Sequence, residues 1–326
     1  MSEDTRQDVV NLGSLTSSHV LSTVRYTDPE QAVSRFRSVN RRLLPLAGDF
    51  ELFQANLQLG HLRLVMVKRP ACVSEVHLDR SQIGIGLLMS DSSGLKLDGV
   101  SVEQPALVSY GLTVPHRIFQ PIGLTLAGVF IPATLEDRGW PEPNEASRLD
   151  PIQASAIQRL RSIICDIIAL ASRDPSRFSR DSVVLGMQQS LLGTIDYAYL
   201  TASGERSTPV AIERHVKTCR LADEFIRSNS RAFPSSADVA AASGVTIRTL
   251  HNAMFAVHGV SLGKFMILNR LWAARAALLR SNPEGLVKTI AFDHGFWHLG
   301  RFSRAYRAFF GESPSATLAQ RHRGAD

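Results

Sequence analysis

Two stretches in the last third of the chain repeat one pattern of small, apolar and glycine residues. VAAASGVTIRTLHNAMFAVHGVSL begins at Val239, and IAFDHGFWHLGRFSRAYRAFFGESP begins at Ile290. The first two matched pairs lie 51 positions apart and the later ones 52, which indicates one extra residue in the second turn. The pairs are Ala240/Ala291, Gly244/Gly295, Leu250/Phe302, Met254/Tyr306, Gly259/Gly311 and Ser261/Ser313. A duplicated unit of helix, glycine turn, helix and glycine stop is the simplest explanation.

Each copy contains the residue types that a helix-turn-helix needs. A small alanine lets the second helix cross closely over the first, and a glycine tolerates the left-handed backbone of the turn. In the first copy, Ser235 or Ser236, with Asp238 after it, is expected to cap the leading helix. Thr246 is expected to cap the second helix.

The spacing of apolar residues predicts which face of each second helix points outward. Leu250 and Met254 in the first copy, and Phe302 and Tyr306 in the second, lie at i, i+4 and are expected to face inward. The outward polar residues are then Arg248, His251 and Asn252 in the first copy and His298, Arg301 and Arg304 in the second. Arginine can bond guanine with two donors, which is worth about 1–3 kcal/mol of discrimination. An exposed arginine can equally contact only phosphate. Trp297 is expected to pack against the turn, because the bases of a duplex offer no open face for stacking.

A long helix is predicted between the two copies, from Leu262 to Ser281. At 1.5 Å per residue such a helix is roughly 28 Å long, close to the separation of roughly 34 Å between successive major grooves on one face of a duplex. Two reading helices held this far apart would suit adjacent grooves.

Positive charge is concentrated in the same part of the chain. From Val210 to Asp326 there are 16 Lys and Arg against 8 Asp and Glu, whereas residues 1–209 carry 20 against 22. The whole chain has a formal net charge of +6. TASGERSTP, from Thr201 to Pro209, has the small, polar composition of a linker. The charge step favours a polyanion-binding module after this linker, although a solvated basic face would look the same.

The region from about Val210 to the end resembles the DNA-binding domain of the AraC/XylS family of bacterial transcription regulators. The residues that carry the resemblance are Ala240, Gly244, Leu250, Ile290, Ala291, Gly295, Phe296, Phe302, Tyr306, Phe310, Gly311, Ser313 and Pro314. The resemblance implies a monomeric domain whose two helix-turn-helix units enter adjacent major grooves of double-stranded DNA. It also implies a small-molecule effector, RNA polymerase as a partner, a homodimer and the role of an activator.

Carried over position by position, the resemblance assigns base reading to both second helices. The implied positions are Arg248, His251, Asn252, His298, Gly300, Arg301 and Arg304. Asn252 stands where the family often has arginine, and Leu262 replaces the proline that follows the first glycine stop. The first unit is therefore expected to read DNA less strongly than the second.

The first two thirds of the chain predict a different fold. Between about residues 45 and 135, short runs of alternating or compact apolar residues are separated by turn residues, which is typical of a small antiparallel barrel or jelly roll. DPEQAVSRFRSVN predicts one helix, capped by Asp28, and two more helices are expected over about 151–200. The predicted fold class is α+β multidomain. A cupin-like antiparallel β-barrel with flanking helices (residues 1–200) is followed by the linker 201–209 and an all-α domain (210–326) with two helix-turn-helix units joined by a long helix.

A ligand pocket inside the barrel is one hypothesis for the first domain. Its lining would include Phe53, Leu57, Val65, Tyr110 and Phe119, and Arg63, His77 or His116 would supply a polar anchor, with Tyr110 as a further candidate. More often such residues simply fill the core, which would make the protein a ligand-independent recruiter. His61, His77 and His116 are too scattered for a metal site, so neither metal nor cofactor is predicted.

Catalysis is the weakest hypothesis for this chain. No Ser/His/Asp grouping or phosphate-binding glycine loop is recognisable. The three cysteines (Cys72, Cys165 and Cys219) lie far apart, which argues against a fused DNA-repair methyl acceptor with a four-cysteine zinc cluster. The first ten residues and the short apolar segment from Ser162 resemble neither a signal peptide nor a membrane span. A cytoplasmic, non-enzymatic protein is expected.

An apolar seam in the first of the two late helices has two interpretations. Ile157, Leu160, Ile164, Ile167 and Ala171 recur at spacings of three and four residues. The seam can pack on the barrel or on the neighbouring helix, or it can form a dimer interface. The family resemblance favours dimerisation through this region.

Overall fold

The computed structural model of the protein divides the chain into two units. One unit comprises Met1–Leu43 and Phe50–Ser207, and the other comprises Leu44–Asp49 and Thr208–Asp326. The residues described are 10–35, 40–77, 82–90, 94–102, 105–110, 115–133, 138–140, 147–202, 210–229, 232–281 and 286–319. Most of the predicted linker, residues 203–209, lies outside the described residues.

The first part of the chain forms two antiparallel sheets. The strands are β1 (Leu21–Tyr26), β2 (Asn40–Pro45), β3 (Leu52–Leu59), β4 (Leu62–Arg69), β5 (Cys72–Val76), β6 (Gln82–Leu88), β7 (Lys96–Leu97), β8 (Val100–Ser101), β9 (Ala106–Tyr110), β10 (His116–Gln120), β11 (Leu124–Pro132) and β12 (Arg148–Pro151). A seven-stranded sheet has the order β1-β3-β4-β11-β6-β9-β12, and a five-stranded sheet has the order β2-β5-β10-β7-β8.

Alternation along β3 and β4 sorts their side chains onto two faces. Leu62, Leu64 and Met66 are fully buried on one face of β4, and Arg63 and Val65 point to the other. The two-residue turn between the strands starts at Gly60, whose φ of +57° a larger residue rarely adopts. Leu59 then pairs with Leu62, and this register places the leucines of both strands on the same face.

Two long helices cover one face of the seven-stranded sheet. The α-helices of the first unit are α1 (Pro29–Arg35), α2 (Ala154–Arg173) and α3 (Asp181–Leu200). The predicted seam of α2 is buried, and it packs in one core with strand residues such as Leu64 and Met66 and with Leu191 and Ile195 of α3. The seam therefore packs inside its own unit, which is the first of its two interpretations, and only the seam itself is excluded from a dimer interface in this region. The homodimer itself stays a prediction.

The expected cupin-like barrel is instead a layered arrangement of two sheets. A second apolar core joins Val76, Leu97 and Ile118 of the five-stranded sheet to Leu124 and Leu149 of the larger one. Over the described strands, β1 and β12 end the seven-stranded order and do not pair with each other. Closure into a barrel is not needed because the helices cover one face of the larger sheet and the smaller sheet covers the other.

The second unit is helical, as predicted. Its helices are α4 (Val210–Ser228), α5 (Ser236–Ala242), α6 (Ile247–His258), α7 (Leu262–Arg280), α8 (Val287–Asp293), α9 (Leu299–Phe310) and α10 (Pro314–Ala319). The helix pairs α5–α6 and α8–α9 are the two copies of the repeat, and α7 is the long helix between them. Among the helices described in the whole chain, none has the length and apolar character needed to span a membrane.

Tyr199 provides a pH test of the packing of α3 on the larger sheet. Its hydroxyl lies 2.8 Å from Ser109 Oγ, and burial raises the pKa of Tyr199 to about 12. The tyrosine pKa is about 10 in an unfolded chain. The contribution of the protonated Tyr199 to folding stability is therefore fully present below about pH 10 and is lost as the pH rises towards 12.

We expect the Tyr199→Phe variant to lose less stability than the wild type over this pH window. Urea unfolding of the full chain at a series of alkaline pH values would measure the difference. Ser109→Ala is the control, since it removes the hydroxyl partner but keeps the ionisable group. Equal pH dependence in the wild type and Tyr199→Phe would contradict the prediction.

Candidate DNA-binding surface

The leading helix of the first repeat copy is fixed by a capping box. Asp238 N donates to Ser235 Oγ (3.3 Å), and Ser235 N donates to Asp238 Oδ2 (2.8 Å). The hydrogen bonds from the Ser235 side chain and backbone hold the pKa of Asp238 below its usual value. Ser235, rather than Ser236, is thus the cap of α5. Thr246 caps α6 as predicted, because its Oγ1 accepts from Thr249 N (3.1 Å).

The turns of the two copies share the same backbone hydrogen bond. Val245 N donates to Ala240 O (3.1 Å), and Phe296 N donates to Ala291 O (2.9 Å). Both alanines are buried. The turn between α5 and α6 spans residues 243–246 and that between α8 and α9 spans residues 294–298, so the inserted residue lies in the second turn. The duplication inferred from sequence is therefore a duplication of backbone geometry.

Glycines set the conformation of both turns and end both second helices. Gly244 and Gly295 have φ values of +67° and +77° in the turns, and Gly259 and Gly311 have φ values of +64° and +74° at the ends of α6 and α9. A residue with a Cβ is strained in this left-handed region. Ser261 and Ser313, two residues after these stops, cap the next helices. Lys264 N donates to Ser261 Oγ (3.2 Å), and Ala316 N donates to Ser313 Oγ (3.1 Å).

The inward faces of the second helices are buried as predicted. Leu250 and Met254 on α6 are completely buried, and Phe302 and Tyr306 on α9 are 1% and 0% exposed. On α9 the packing is aromatic, with ring centroids 5.5 Å apart between Phe302 and Tyr306 and 4.7 Å apart between Phe302 and Phe296. These contacts fix the rotation of each helix about its axis, so the residues on the opposite side face outward.

A polar network below α9 was not predicted from the sequence. Tyr306 donates its hydroxyl to Thr317 Oγ1 (2.9 Å), and the threonine in turn donates to Glu312 Oε1 (2.8 Å). Arg275 of α7 donates to the same carboxylate oxygen (2.5 Å). Burial raises the pKa of Tyr306, so its hydroxyl keeps its proton at neutral pH. The network ties the turn after α9 to the long helix.

All seven residues that the family resemblance assigns to base reading are exposed to solvent. They are Arg248, His251 and Asn252 on α6, His298 at the start of α9, and Gly300, Arg301 and Arg304 on α9. Within the described part of the chain, none of these three arginines has an ion pair or a hydrogen bond from its side chain. The two helices therefore present guanidinium, imidazole and amide groups whose hydrogen-bonding capacity is not used by other described residues of the domain.

Trp297 has both a packed and an open side. It stacks on Phe292 with ring centroids 5.9 Å apart, and it meets Phe233 nearly at right angles with ring centroids 6.2 Å apart. It is nevertheless 66% exposed. The predicted packing against the turn is present, and much of the indole remains accessible.

The first unit contains a small cavity between its two sheets. Its volume is about 80 Å³, and Arg63, Val65, Val67 and Arg69 of β4 line one side. These four residues alternate along the strand and so share a face. Tyr110 also lines the cavity, and burial raises the pKa of this phenol.

The structure brings together only part of the predicted pocket. Arg63, Val65 and Tyr110 line the cavity, but Phe53, Leu57, His77, His116 and Phe119 do not. Leu57 belongs to the core under the helices, and His116 is buried with its Nδ1 2.9 Å from Asp98 Oδ2. Among the described residues, no group of three or more His, Cys, Asp or Glu could hold a metal ion.

Arg69 is the residue of this cavity that sequence reasoning missed. It is 4% exposed, and it donates from Nε to Gln120 Oε1 (3.0 Å) and from Nη1 to Ser74 Oγ (3.1 Å). Its buried Nη2 has no hydrogen-bond partner within the described chain. Arg69 lies at an even spacing from Arg63 in the same strand, so the sequence already indicated that the two side chains share a face.

Comparison with known proteins identifies the duplicated region. A family model described as a helix-turn-helix domain matches residues 239–320, which contain both copies of the repeat. The chain is 29% identical over 203 residues to the XylDLEGF operon transcriptional activator of Pseudomonas putida, covering 60% of this chain and 59% of that protein. The XylDLEGF operon transcriptional activator 2 of the same species is 39% identical over 100 residues, covering 29% of this chain and 62% of that protein. The chain thus spans about three fifths of the length of these relatives.

One similar solved structure is that of a probable AraC family transcriptional regulator from Rhodopseudomonas palustris. The sequence identity is 30%, the match covers 32% of this chain and 96% of that chain, and the TM-score is 0.29.

Gly295 offers a direct test of the second turn. An added Cβ would lie 2.6 Å from the ring of Phe233, and the φ of +77° disfavours any other residue. We expect Gly295→Ala to lower the free energy of unfolding by about 1–3 kcal/mol. Gly263→Ala on α7 is the matched control, since its Cβ would meet no atom within 4 Å, and a change of at most about 1 kcal/mol in the stabilising direction is expected. Chemical denaturation measures both, and equal effects would contradict this account of the turn.

Proposed function

We propose that the C-terminal part of this chain is a helix-turn-helix domain of the AraC/XylS type and that the protein is a sequence-specific DNA-binding transcription regulator. The observation that carries the proposal is the pair of exposed polar faces on α6 and α9, each fixed by a buried i, i+4 pair. A rigid helix with outward hydrogen-bonding side chains is the element that reads the major groove in this class of domain.

The proposed reading is stronger in the second copy. Arg301 and Arg304 lie one turn apart on α9 and can each bond guanine O6 and N7. Gly300 has no atom within 4 Å of the place a Cβ would occupy, so it lets the helix backbone come close to DNA. On α6, Arg248 is accompanied by His251 and Asn252, whose side chains are shorter than that of arginine and reach less far from the helix. His298, at the start of α9, is proposed to contact DNA at the edge of the major groove.

The remaining partners follow from the same assignment. The Pseudomonas putida relatives are named transcriptional activators, which supports the proposal that this chain also activates transcription and contacts RNA polymerase. A homodimer would place two such domains on two half-sites. We place the protein in the bacterial cytoplasm, associated with the nucleoid when bound to DNA, and we assign it no catalytic role.

We further propose that the cavity in the first unit receives a small organic effector. Arg69 supports this, because a buried guanidinium with one unused nitrogen is costly unless an anion or acceptor reaches it. Arg63 also lines the cavity, where its guanidinium lies 4.4 Å from the centroid of Phe130 and burial lowers its pKa. A carboxylate-bearing molecule would satisfy these groups.

The size of the cavity favours one alternative function. Ligand sites for small molecules usually measure about 300–1,000 Å³, whereas this cavity measures about 80 Å³. An effector would have to widen the cavity, and it would act by favouring that wider arrangement. If the cavity stays closed, the protein is a ligand-independent recruiter of transcription.

Selection of duplexes from a random DNA pool by the full-length protein tests DNA reading. We expect a motif spanning adjacent major grooves, and we expect Arg301→Ala and Arg304→Ala each to relax one part of it by about 1–3 kcal/mol. Arg248→Ala should relax a separate part.

Arg220→Ala on α4 is the matched control, since it removes the same charge from an exposed position outside the reading helices. It should leave the selected motif unchanged, and any loss of affinity should be equal for all sequences and accompanied by a smaller salt dependence. Sequence-blind binding by the wild type would reject the proposed function.

A thermal-shift screen of the full chain tests the effector. We expect at least one small monocarboxylic acid to raise the melting temperature of the wild type, while its neutral amide and the Arg69→Gln variant show no shift. Operator titration with that acid should then show a changed affinity. If no acid shifts the melting temperature or the operator affinity, the ligand-independent alternative stands.

A further inference from the structure

A groove in the second unit lies between the long helix α7 and the turn of the second helix-turn-helix. Its volume is about 770 Å³, and its lining includes Phe233, Met266, Arg270, Phe292, His294 and Trp297. This volume lies within the usual range of small-molecule sites, about 300–1,000 Å³. The groove is separate from the cavity of the first unit and lies outside the set of residues proposed to read DNA.

The walls of the groove are aromatic and partly open. Phe292 and Trp297 stack, Phe233 meets the edge of Trp297, and the indole is 66% exposed. Large apolar side chains around a concave surface are typical of ligand sites. Flat rings on the walls favour a flat ligand, because stacked and edge-on ring pairs add to the gain from area burial alone.

The polar groups of the groove favour an anion. The Arg270 guanidinium lies 5.2 Å from the centroid of Phe233, and burial lowers its pKa. Within the described chain it has no ion pair or hydrogen bond. A half-buried cation of this kind gains from a carboxylate or sulfonate, which accepts two hydrogen bonds from the guanidinium.

His294 adds a neutral hydrogen-bonding group on the same wall. Its Nε2 is buried and has no hydrogen-bond partner among the described residues. Burial lowers the pKa of His294, against a smaller opposing effect of Asp293, so the imidazole is neutral at pH 7 and can share one hydrogen bond with a ligand. Asp293 also lines the groove, but it is exposed to solvent, where water screens its charge.

We propose that this groove binds a flat aromatic anion, with its rings against the exposed surfaces of Phe233 and Trp297 and its acidic group on Arg270. The assignment does not depend on DNA binding, because the groove is formed by the packing of α7 against the second turn. It adds a site in the helical unit to the effector cavity proposed for the first unit.

Two fluorescent probes of matched shape test the proposal in the full-length protein. Anilinonaphthalene sulfonate carries the anion, and phenylnaphthylamine is its neutral counterpart. We expect the wild type to bind the sulfonate with a lower dissociation constant than the neutral probe. Arg270→Gln should weaken sulfonate binding about tenfold, which corresponds to about 1.4 kcal/mol, and should leave the neutral probe nearly unchanged. Arg270→Lys should restore part of the preference.

Two further variants locate the probes. Ala273 lines the groove on α7, so Ala273→Phe should obstruct part of it and weaken binding of both probes while circular dichroism stays that of a folded protein. The chain has three tryptophans, and Trp297→Phe should lower the energy transfer from tryptophan to the bound sulfonate by removing the donor that lines the groove. Arg69→Gln controls for binding in the first unit and should change neither measurement.

The outcomes that overturn the proposal are distinct. If Arg69→Gln weakens the sulfonate and Arg270→Gln does not, the probe binds in the cavity of the first unit. If Arg270→Gln affects both probes equally, the groove does not select an anion. Operator binding by the same variants is measured separately, so loss of DNA binding with intact probe binding would reject only the proposed regulatory function.

Discussion

Burial of one i, i+4 pair beneath each second helix is the constraint on which the helical unit depends. Leu250 and Met254 hold α6, and Phe302 and Tyr306 hold α9. Each buried side chain of this size contributes about 1.5–3 kcal/mol, and the pair sets the rotation of the helix as well as its position. The alternation of aromatic residues and arginines on α9 follows directly, since the aromatic face must be buried for the basic face to be displayed.

The helical unit could be largely predicted from the sequence because its signals are local. The duplicated alanine and glycine positions, the caps at Ser235 and Thr246, and the inward pairs are each set within one turn of helix or one tight turn. The network that joins Arg275 to Glu312 could not be predicted in this way. Arg275 lies on α7, 37 positions before Glu312 in the turn after α9, and only the packed structure brings the two side chains together.

Prediction was less complete in the first unit because strands give weaker local information. The alternation in β4 shows that Arg63 and Arg69 share a face, but it does not show what covers that face. To predict a closed barrel, one must know which strands pair at the ends of the sheet, and the sequence does not show this. In the structure, helices cover one face of the larger sheet and a second sheet covers the other. Leu57 was predicted to line a ligand pocket for the same reason, because the sequence does not show what covers each face. In the structure it lies in the core under α2 and α3.

The two units also differ in how far along the chain their contacts reach. In the first unit, β11 pairs with β4, joining Leu124 to Arg69, and β12 pairs with β9, joining Pro151 to Ala106. Each helix-turn-helix closes on itself through a turn of a few residues. Because folding rates fall as contacts become less local, the helical unit should reach its native structure sooner after synthesis than the sheet unit that precedes it in the chain.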